Sequence, residues 1–312
     1  MIFCQLSMKN NNLISTVVVV VEKDKKFLKE CLLSLEKSAK QAKTPIDFIV
    51  IANGTNLSEP IYLKSSYKVI NNKVNIGFGA AVNIGVDKAI GQFCIITCPD
   101  VITDKNCIKN LLKQSKKEKI AIIGPKIKVV EGELQHTILP IPTPWQIFLE
   151  QSYLYKIFPR LFKSPLSDKE LYLKTHYIDA VAAIWWLVKT KIFRQIGGLD
   201  PRFFLYFEDV DLCRRLKEVG YLIAYEPSAK VLHLMHKSTG GNPSGKLYFH
   251  SLKAYLLKYY SKLTVYFTLN IFRLGCLLRL IFWQTNEIFT TDAEKLEFGR
   301  QKIIFCKEAI IG

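Results

Sequence analysis

STVVVVVEKDKKFLKECLLSLEKSAKQAKTPIDFIVIANG, residues 15–54, decides the fold. It opens on an unbroken β-branched run without polar alternation, the pattern of a strand buried on both faces. Phe27, Cys31, Leu32 and Leu35 then recur at helical spacing and predict an amphipathic helix. IDFIVIANG is a second apolar run that ends in a turn signal. A strand, a helix and a further strand form the repeating unit of a parallel sheet. Outward from this unit the alternation continues. YKVINN (67–72) reads as a strand, FGAAVNIGVDKAIG (78–91) as a helix that Gly91 ends, and QFCIITCPD (92–100) as a buried strand. KNCIKNLLKQSKK (105–117) is a helix and IAIIGPKI (120–127) a strand. The alternation predicts an α/β fold of Rossmann-like character, a mostly parallel central sheet with helices on both faces, over the first ~130 residues.

Beyond this frame the pattern changes. Residues 131–176 hold five prolines (140, 142, 144, 159 and 165) and many aromatics, and read as an irregular, mobile or acceptor-facing segment. YIDAVAAIWWLVKTKIF (177–193) resumes strand and helix character. The tail from Lys246 to Trp283 carries six lysines or arginines, ten aromatics and no acid. Its longest uncharged stretch, Leu263–Phe272, is ten residues, too short to span a bilayer. Two readings of the tail stay open and are compatible: a basic amphipathic segment in a membrane interface, or a helical pair packed on the domain.

The chain of 312 residues is 49% hydrophobic and carries a net charge of +17. The apolar content supplies a substantial core, and the charge draws polyanions such as anionic lipid or phosphorylated substrates. Nucleic acid is not expected, because charge alone supports it and no recognition motif does. None of the eight cysteines forms a CxxC pair, which argues against a zinc ribbon and for a reduced, cytoplasmic chain. No signal peptide is read in the N-terminal apolar run LISTVVVVV.

Three stretches fall where an open α/β sheet binds ligands, beyond the carboxyl ends of its strands. NIGFGAAVNIG (75–85) offers glycines for close backbone approach, a helix start that can meet an anion, and two asparagines, Asn75 and Asn83. CPDV (98–101) places Asp100 at a strand end, where a carboxylate either binds a divalent cation or caps the next element. FFLYFEDVDLCRRL (203–216) sets Glu208, Asp209 and Asp211 behind a run of aromatic rings. Leu212, Cys213, Leu216 and Val219 lie at helical spacing and Gly220 ends that helix. The acids therefore suit a first helical turn, and one of them beside apolar rings also suits a general base.

Together these stretches resemble glycosyltransferase family 2 enzymes of GT-A fold, in particular the bacterial rhamnosyltransferase-like group, over roughly residues 15–240. Gly197–Ser238 is similar to the family's Gly-Gly-Phe-Asp block, Glu-Asp motif and Val-x-His-x-x-x-x-Ser segment. NIGFGAAVNIG, IVIANGT and CPDV match its loop, turn and metal motifs. The resemblance implies a GT-A catalytic domain over residues 1–245, followed by a C-terminal helical segment over 246–312. It implies an inverting, metal-dependent hexosyltransferase that uses a nucleotide diphosphate sugar and a surface-glycan or lipid-linked acceptor, in polysaccharide or cell-envelope synthesis at the cytoplasmic face of a membrane. Asp209, paired with Glu208, would be the base. Asp100 would hold Mg²⁺ or Mn²⁺ against the diphosphate, with His233 as a further ligand; His233 on its own residue type reads as a core histidine. Asn53, Asn75, Gly77, Gly79 and Asn83 would hold the donor, and Trp185 and Asp200 would lie at the sugar and acceptor.

Four positions depart from the family. Val21-Glu22-Lys23 stands for Thr-Tyr-Asn, Ala52 for an Asp, Cys98 for an Asn, and Ala183-Ile184 before Trp185-Trp186 for a small Gly-Ala step. The first two make base recognition unusual, while the phosphate, metal and base positions are kept. The alternative is a degenerate, non-catalytic relative serving as a membrane-surface scaffold or sugar-nucleotide binder. An Asp209→Asn variant that kept full cellular function would favour that alternative.

Overall fold

A computed structural model describes residues 13–57, 63–130, 132–152, 154, 158, 169–234, 244–289 and 292–311. The predicted unit is present as β1 (Ile14–Val20), α1 (Lys25–Ala42) and β2 (Ile46–Asn53), with β1 and β2 paired in parallel. The chain continues through β3 (Tyr67–Asn72), α2 (Phe78–Lys88), β4 (Phe93–Thr97), β5 (Val101–Thr103), α3 (Cys107–Ser115) and β6 (Ile120–Val129). Then come β7 (Ile138–Leu139), α4 (Pro144–Ser152), β8 (His176–Ile178), β9 (Ala180–Val181), β10 (Trp185–Lys189), α5 (Thr190–Gln195), α6 (Glu208–Glu218) and β11 (Leu222–His233). Three tail helices close the chain: α7 (Gly245–Tyr259), α8 (Lys262–Phe289) and α9 (Ala293–Ile311).

The main sheet runs β3-β2-β1-β4-β10-β6-β11-β5, with β8 also paired to β11. β1, β2, β3, β4, β6 and β11 share one direction, and β5, β8 and β10 oppose it. A second small sheet pairs β7 with β9. The valine run of β1 shows why no polar residue alternates there. Val18 and Val20 face α1 and α3, Val17 and Val19 face α2, and all seven residues of β1 are buried. Each side chain of such a strand leaves water whichever way it points.

Two expectations need correction. Gly91 does not end α2, which stops at Ala89 in extended backbone. A Cβ on Gly91 would sit 2.5 Å from the Ser15 amide nitrogen, so the glycine is needed for close approach to β1. The arginines of the tail do not break it into short apolar pieces. α8 is one helix of 28 residues, and among the described residues it is the one helix long and apolar enough to cross a membrane. Only a third of its most apolar window is buried.

The middle segment contains β7, α4 and a 3-10 turn at Lys169–Tyr172, with Pro144 opening α4, where a missing N–H costs nothing. Residues 159–168, including Pro159 and Pro165, lie outside the described residues, as does Ser238. The first tail helix, α7, begins at Gly245. Phe249, Leu252, Tyr255, Leu269 and Phe272 of the tail join the same buried cluster as Val82 of α2, Trp186 of β10 and Val210 of α6.

Candidate active site

The three sequence signals converge at the carboxyl ends of β1, β2 and β4. Asp100 follows β4 directly and has no exposed surface. The antiparallel pairing of β11 with β5 sets His233 opposite Val101, which brings its ring to Asp100. His233 Nε2 lies 3.2 Å from Asp100 Oδ2, and Nδ1 lies 2.8 Å from Gln135 Oε1. Gln135, assigned with its oxygen toward the ring, can only accept there. That puts a ring proton on Nδ1; Nε2 then either donates to Asp100 Oδ2 from a protonated ring or, in the neutral ring, turns a lone pair toward a cation beside that oxygen. A lone pair and a carboxylate oxygen converging in this way form the donor set of a cation site, with Gln135 orienting the histidine from behind. Cys98, Asp100 and His233 have ligand atoms within 4.8 Å of one another. Burial, and then the Asp100 charge, push the Cys98 thiol well above its ordinary range. It remains a neutral thiol, so the available oxygen and nitrogen donors fit a hard cation such as Mg²⁺ or Mn²⁺.

Asp24, which the sequence reading did not single out, belongs to this neighbourhood. It ends the short turn after β1, is 5% exposed, and has an oxygen with no hydrogen-bond partner. Burial first, and the Asp100 charge second, raise its carboxyl to about 7. An acid just past the end of β1 was the available signal, but its burial depends on α1 and the Asp100 turn.

Asp209 lies in the first turn of α6, behind Tyr206 and Phe207, which both adopt left-handed backbone (φ 69° and 68°). Side chains with a Cβ pay for that conformation, at roughly 1–3 kcal/mol each, and it recurs at functional turns. The Asp209 carboxylate accepts from the backbone N–H of Val210 (2.8 Å) and Ala183 (3.4 Å). Burial raises its carboxyl to about 6. Glu208 is 5% exposed, and burial followed by the Asp209 charge raises its pKa well above the usual carboxylate range. Burial and mutual repulsion oppose a second charge on the pair, and the two N–H donors to Asp209 favour placing the charge there. Both acids reach a cavity of about 320 Å³ walled by Pro140, Pro142, Ile147, Ala182 and Tyr248. The segment 182–184 joins the two centres. Ile184 accepts from Cys98 N–H (3.4 Å), and Ala183 donates to Asp209.

The remaining predicted residues mostly hold this frame. Asn53 is saturated: Nδ2 donates to Asn75 Oδ1 (2.8 Å) and Gly77 O (3.2 Å), and Oδ1 accepts from Ile76 N–H (3.1 Å) and Asn72 Nδ2 (3.2 Å). Asn75 is exposed, and its oxygen is shared by Asn53 and the Gly77 N–H. Asn83 grips both sides of the Leu199 peptide, donating to its carbonyl (2.7 Å) and accepting from its N–H (2.9 Å). Gly77 has φ 88°, and Gly79 lies 3.7 Å, measured from its would-be Cβ, from Glu208 Cβ. The start of α2 is not open to an anion at its first residue, because Phe78 N–H already donates to Phe204 O (2.9 Å).

Two placements differ from expectation outright. Trp185 has no exposed surface and donates to Thr103 Oγ1 (3.1 Å) in the core between β10 and α3, so it does not reach the acceptor cavity. A bulky ring on a central strand is worth more buried than exposed. Asp200 is held by Arg202 (2.6 Å) and Lys258 (2.8 Å), and these partners keep its carboxyl far below the usual range. Its side chain braces the turn before α6 against α7.

Known proteins share this sequence pattern and fold. The model of Glycosyl transferase family 2 matches residues 15–184, more than half of the chain. The chain is 26% identical over 256 residues to N-acetylglucosaminyl-diphospho-decaprenol L-rhamnosyltransferase of Mycobacterium tuberculosis, covering 77% of this chain and 82% of that protein. It is 32% identical to rhamnosyltransferase WbbL of Escherichia coli over 74 residues, 24% of this chain and 28% of WbbL. Among solved structures it superposes on the mannosyltransferase PcManGT from Pyrobaculum calidifontis, in complex with GDP-Man and Mn²⁺, with a TM-score of 0.55 at 9% identity. That match covers 96% of this chain and 86% of the other. S. aureus TarS 1-349 with UDP-GlcNAc gives a TM-score of 0.53 at 14% identity, covering 95% and 90%. The sheet order, the strand-end carboxylates and the family match lead to one assignment: the chain belongs to glycosyl transferase family 2, is a glycosyltransferase of GT-A fold, and falls with its rhamnosyltransferase-like members.

Proposed function

We propose that the protein transfers a hexose of the rhamnose kind, with inversion, from a nucleoside diphosphate sugar to a lipid-linked glycan acceptor at the cytoplasmic face of a membrane. The observation that carries this reading is Asp209. It belongs to a buried acid pair, its carboxylate is oriented by two backbone N–H groups, and it faces an apolar-walled cavity. A carboxyl raised to about 6 is largely ionised at neutral pH yet basic enough to take the proton of an attacking hydroxyl. A single ionised carboxylate suits direct displacement at the anomeric carbon, in which no covalent enzyme intermediate forms.

Asp100 and His233 would hold the divalent cation, and the cation would neutralise the leaving diphosphate. The chain's own residues do the rest. Asn53 and Asn75 fix the loop that closes on Phe204, and Asn83 fixes the turn at Leu199. Burial and the Asp209 charge raise the Glu208 carboxyl, which disfavours a second charge beside the base. The retained base and cation donors support an enzyme over a non-catalytic scaffold. At the donor-facing edge Ala52 is wholly buried, and Glu22 is engaged by Thr55 and by Lys25 (2.9 Å). Base selection therefore rests on different groups from those of the family pattern.

The test is a titration of the purified chain with UDP-, dTDP- and GDP-sugars, with and without Mn²⁺, following thermal stability and released nucleotide. One nucleotide class should stabilise the protein in a metal-dependent way, with turnover lost in Asp209→Asn and donor binding kept. A folded protein that binds no member of the panel would refute the reading.

A further inference from the structure

Helix α8 is apolar on both sides, and only one side is covered. Val265, Leu269, Phe272 and Cys276 are buried in the protein. Leu263, Tyr266, Phe267, Leu274, Leu278 and Phe282 lie on the other side, each at least 55% exposed. They form a stripe along a helix of about 42 Å at 1.5 Å per residue. A helix apolar all round needs cover on its outer face as well as its inner one.

Charge decides what covers it. The chain carries +17, which opposes the approach of a second copy and favours an anionic surface. Lys246 and Lys253 of α7 and Lys262 of α8 are exposed, and residues 246–283 contain no acid. Beyond that stretch, Glu287 is already ion-paired with Arg300 (2.8 Å). The inner side of α8 excludes spanning. Arg279 donates to the Glu150 carbonyl of α4 (3.1 Å), and the Arg273 guanidinium stacks 4.7 Å over Phe249 of α7. A helix bound this way along one side lies in the surface plane.

We propose that the outer face of α8 is a bilayer-docking face, seated at headgroup level in anionic lipid without crossing it. The inference deepens the proposed function, and its value for acceptor capture rests on that reading. Helix α4 is the link. Its Ile147 and Glu150 wall the Asp209 cavity, while the same helix packs on α8. Docking therefore brings the cavity to the depth at which a lipid-linked hydroxyl is presented.

The experiment is flotation of the full chain with vesicles of phosphatidylcholine alone or mixed with phosphatidylglycerol. The charge-introducing set Phe267→Glu, Leu274→Glu and Leu278→Glu is compared with Val74→Glu, Ile90→Glu and Leu173→Glu. The second set adds the same charge at apolar residues exposed elsewhere. Circular dichroism and metal-dependent donor hydrolysis, which needs no lipid, report folding and the catalytic site separately. The wild type and the second set should float with the mixed vesicles, at least tenfold better than with phosphatidylcholine alone. The α8 set should lose at least tenfold while hydrolysing donor normally. Three results would overturn the proposal: no flotation by the folded wild type, equal flotation by the α8 set, or light scattering that shows a dimer dissolved by the α8 set.

Discussion

Asp211 is the residue whose loss should cost the fold most for the smallest change in shape. It has no exposed surface, and three groups converge on it. Arg215 Nε donates to Oδ2 (2.8 Å), and Lys258 Nζ (2.5 Å) and Tyr259 OH (2.7 Å) donate to Oδ1. Arg215 belongs to α6 and also donates to the carbonyls of Ile196 (2.8 Å) and Gly198 (2.7 Å), while Lys258 and Tyr259 belong to α7. In Asp211→Asn an NH₂ must face either the guanidinium or the ammonium and phenol, and the cations lose their buried anion. Breaking one side of a buried pair costs roughly 3–5 kcal/mol, a large part of the ~5–15 kcal/mol that holds a typical domain. Urea unfolding should show a lower midpoint with an unchanged slope. Arg202→Ala, at a pair whose arginine is 61% exposed, should cost under about 1 kcal/mol. Asp211→Asn and Lys258→Met should not add, with a coupling of about 0.5–3 kcal/mol. A loss below about 1 kcal/mol for Asp211→Asn, or strict additivity with Lys258→Met, would falsify this account of how α6 is tied to α7.

The pH dependence of kcat/KM should show an acid limb near 6, because Asp209 must be ionised to act and protonates as pH falls through that value; initial rates between pH 5 and 8 check it. Asp24 behaves oppositely for stability. Its folded carboxyl, raised to about 7, contributes stability that is fully present below about pH 4 and is lost as pH rises through about 7. In chelator, Asp24→Asn should therefore be more stable than the wild type at pH 8 and level with it near pH 4, as thermal melts at the two pH values would reveal. Gly77→Ala combines φ 88° with a Cβ 2.7 Å from Phe204 O, so it should cost at least ~1–2 kcal/mol and at least tenfold in turnover, read by melting and by rate.

The sheet was legible because its strands are extreme cases. A run of five valines has no face to offer water, and the spacing of Phe27, Cys31 and Leu35 has one reading. The carboxylates Asp100 and Asp209 were legible through their place beyond strand ends and behind an aromatic turn. What was hidden depends on contacts across long separations. Asn53 and Asn83 have the chemistry of ligands, but their hydrogen bonds are used on loop 75–77 and on Leu199. Trp185 is adjacent in sequence to the cavity segment 182–184, yet strand alternation turns it into the core. Asp24 looks like an ordinary acid in a lysine-rich turn until α1 buries it. The continuity of α8 was hidden because Arg273 and Arg279 read as breaks; their partners on α7 and α4 let them stay in the helix.

Tyr248 sits three residues into α7, stacked on Phe272 (5.9 Å) and edge-on to Phe207 (5.1 Å), and it forms one wall of the Asp209 cavity. The turn before α6 and the tail thus share a single aromatic stack. A chain cut at residue 245 would keep every residue of the Glu-Asp motif and still lack one wall of the Asp209 cavity. If the Asp209 cavity takes the acceptor and α8 docks on lipid, as proposed, a tail exchanged between relatives would carry acceptor preference with it, and the part that sets where the enzyme works would be inherited together with the part that sets what it glycosylates.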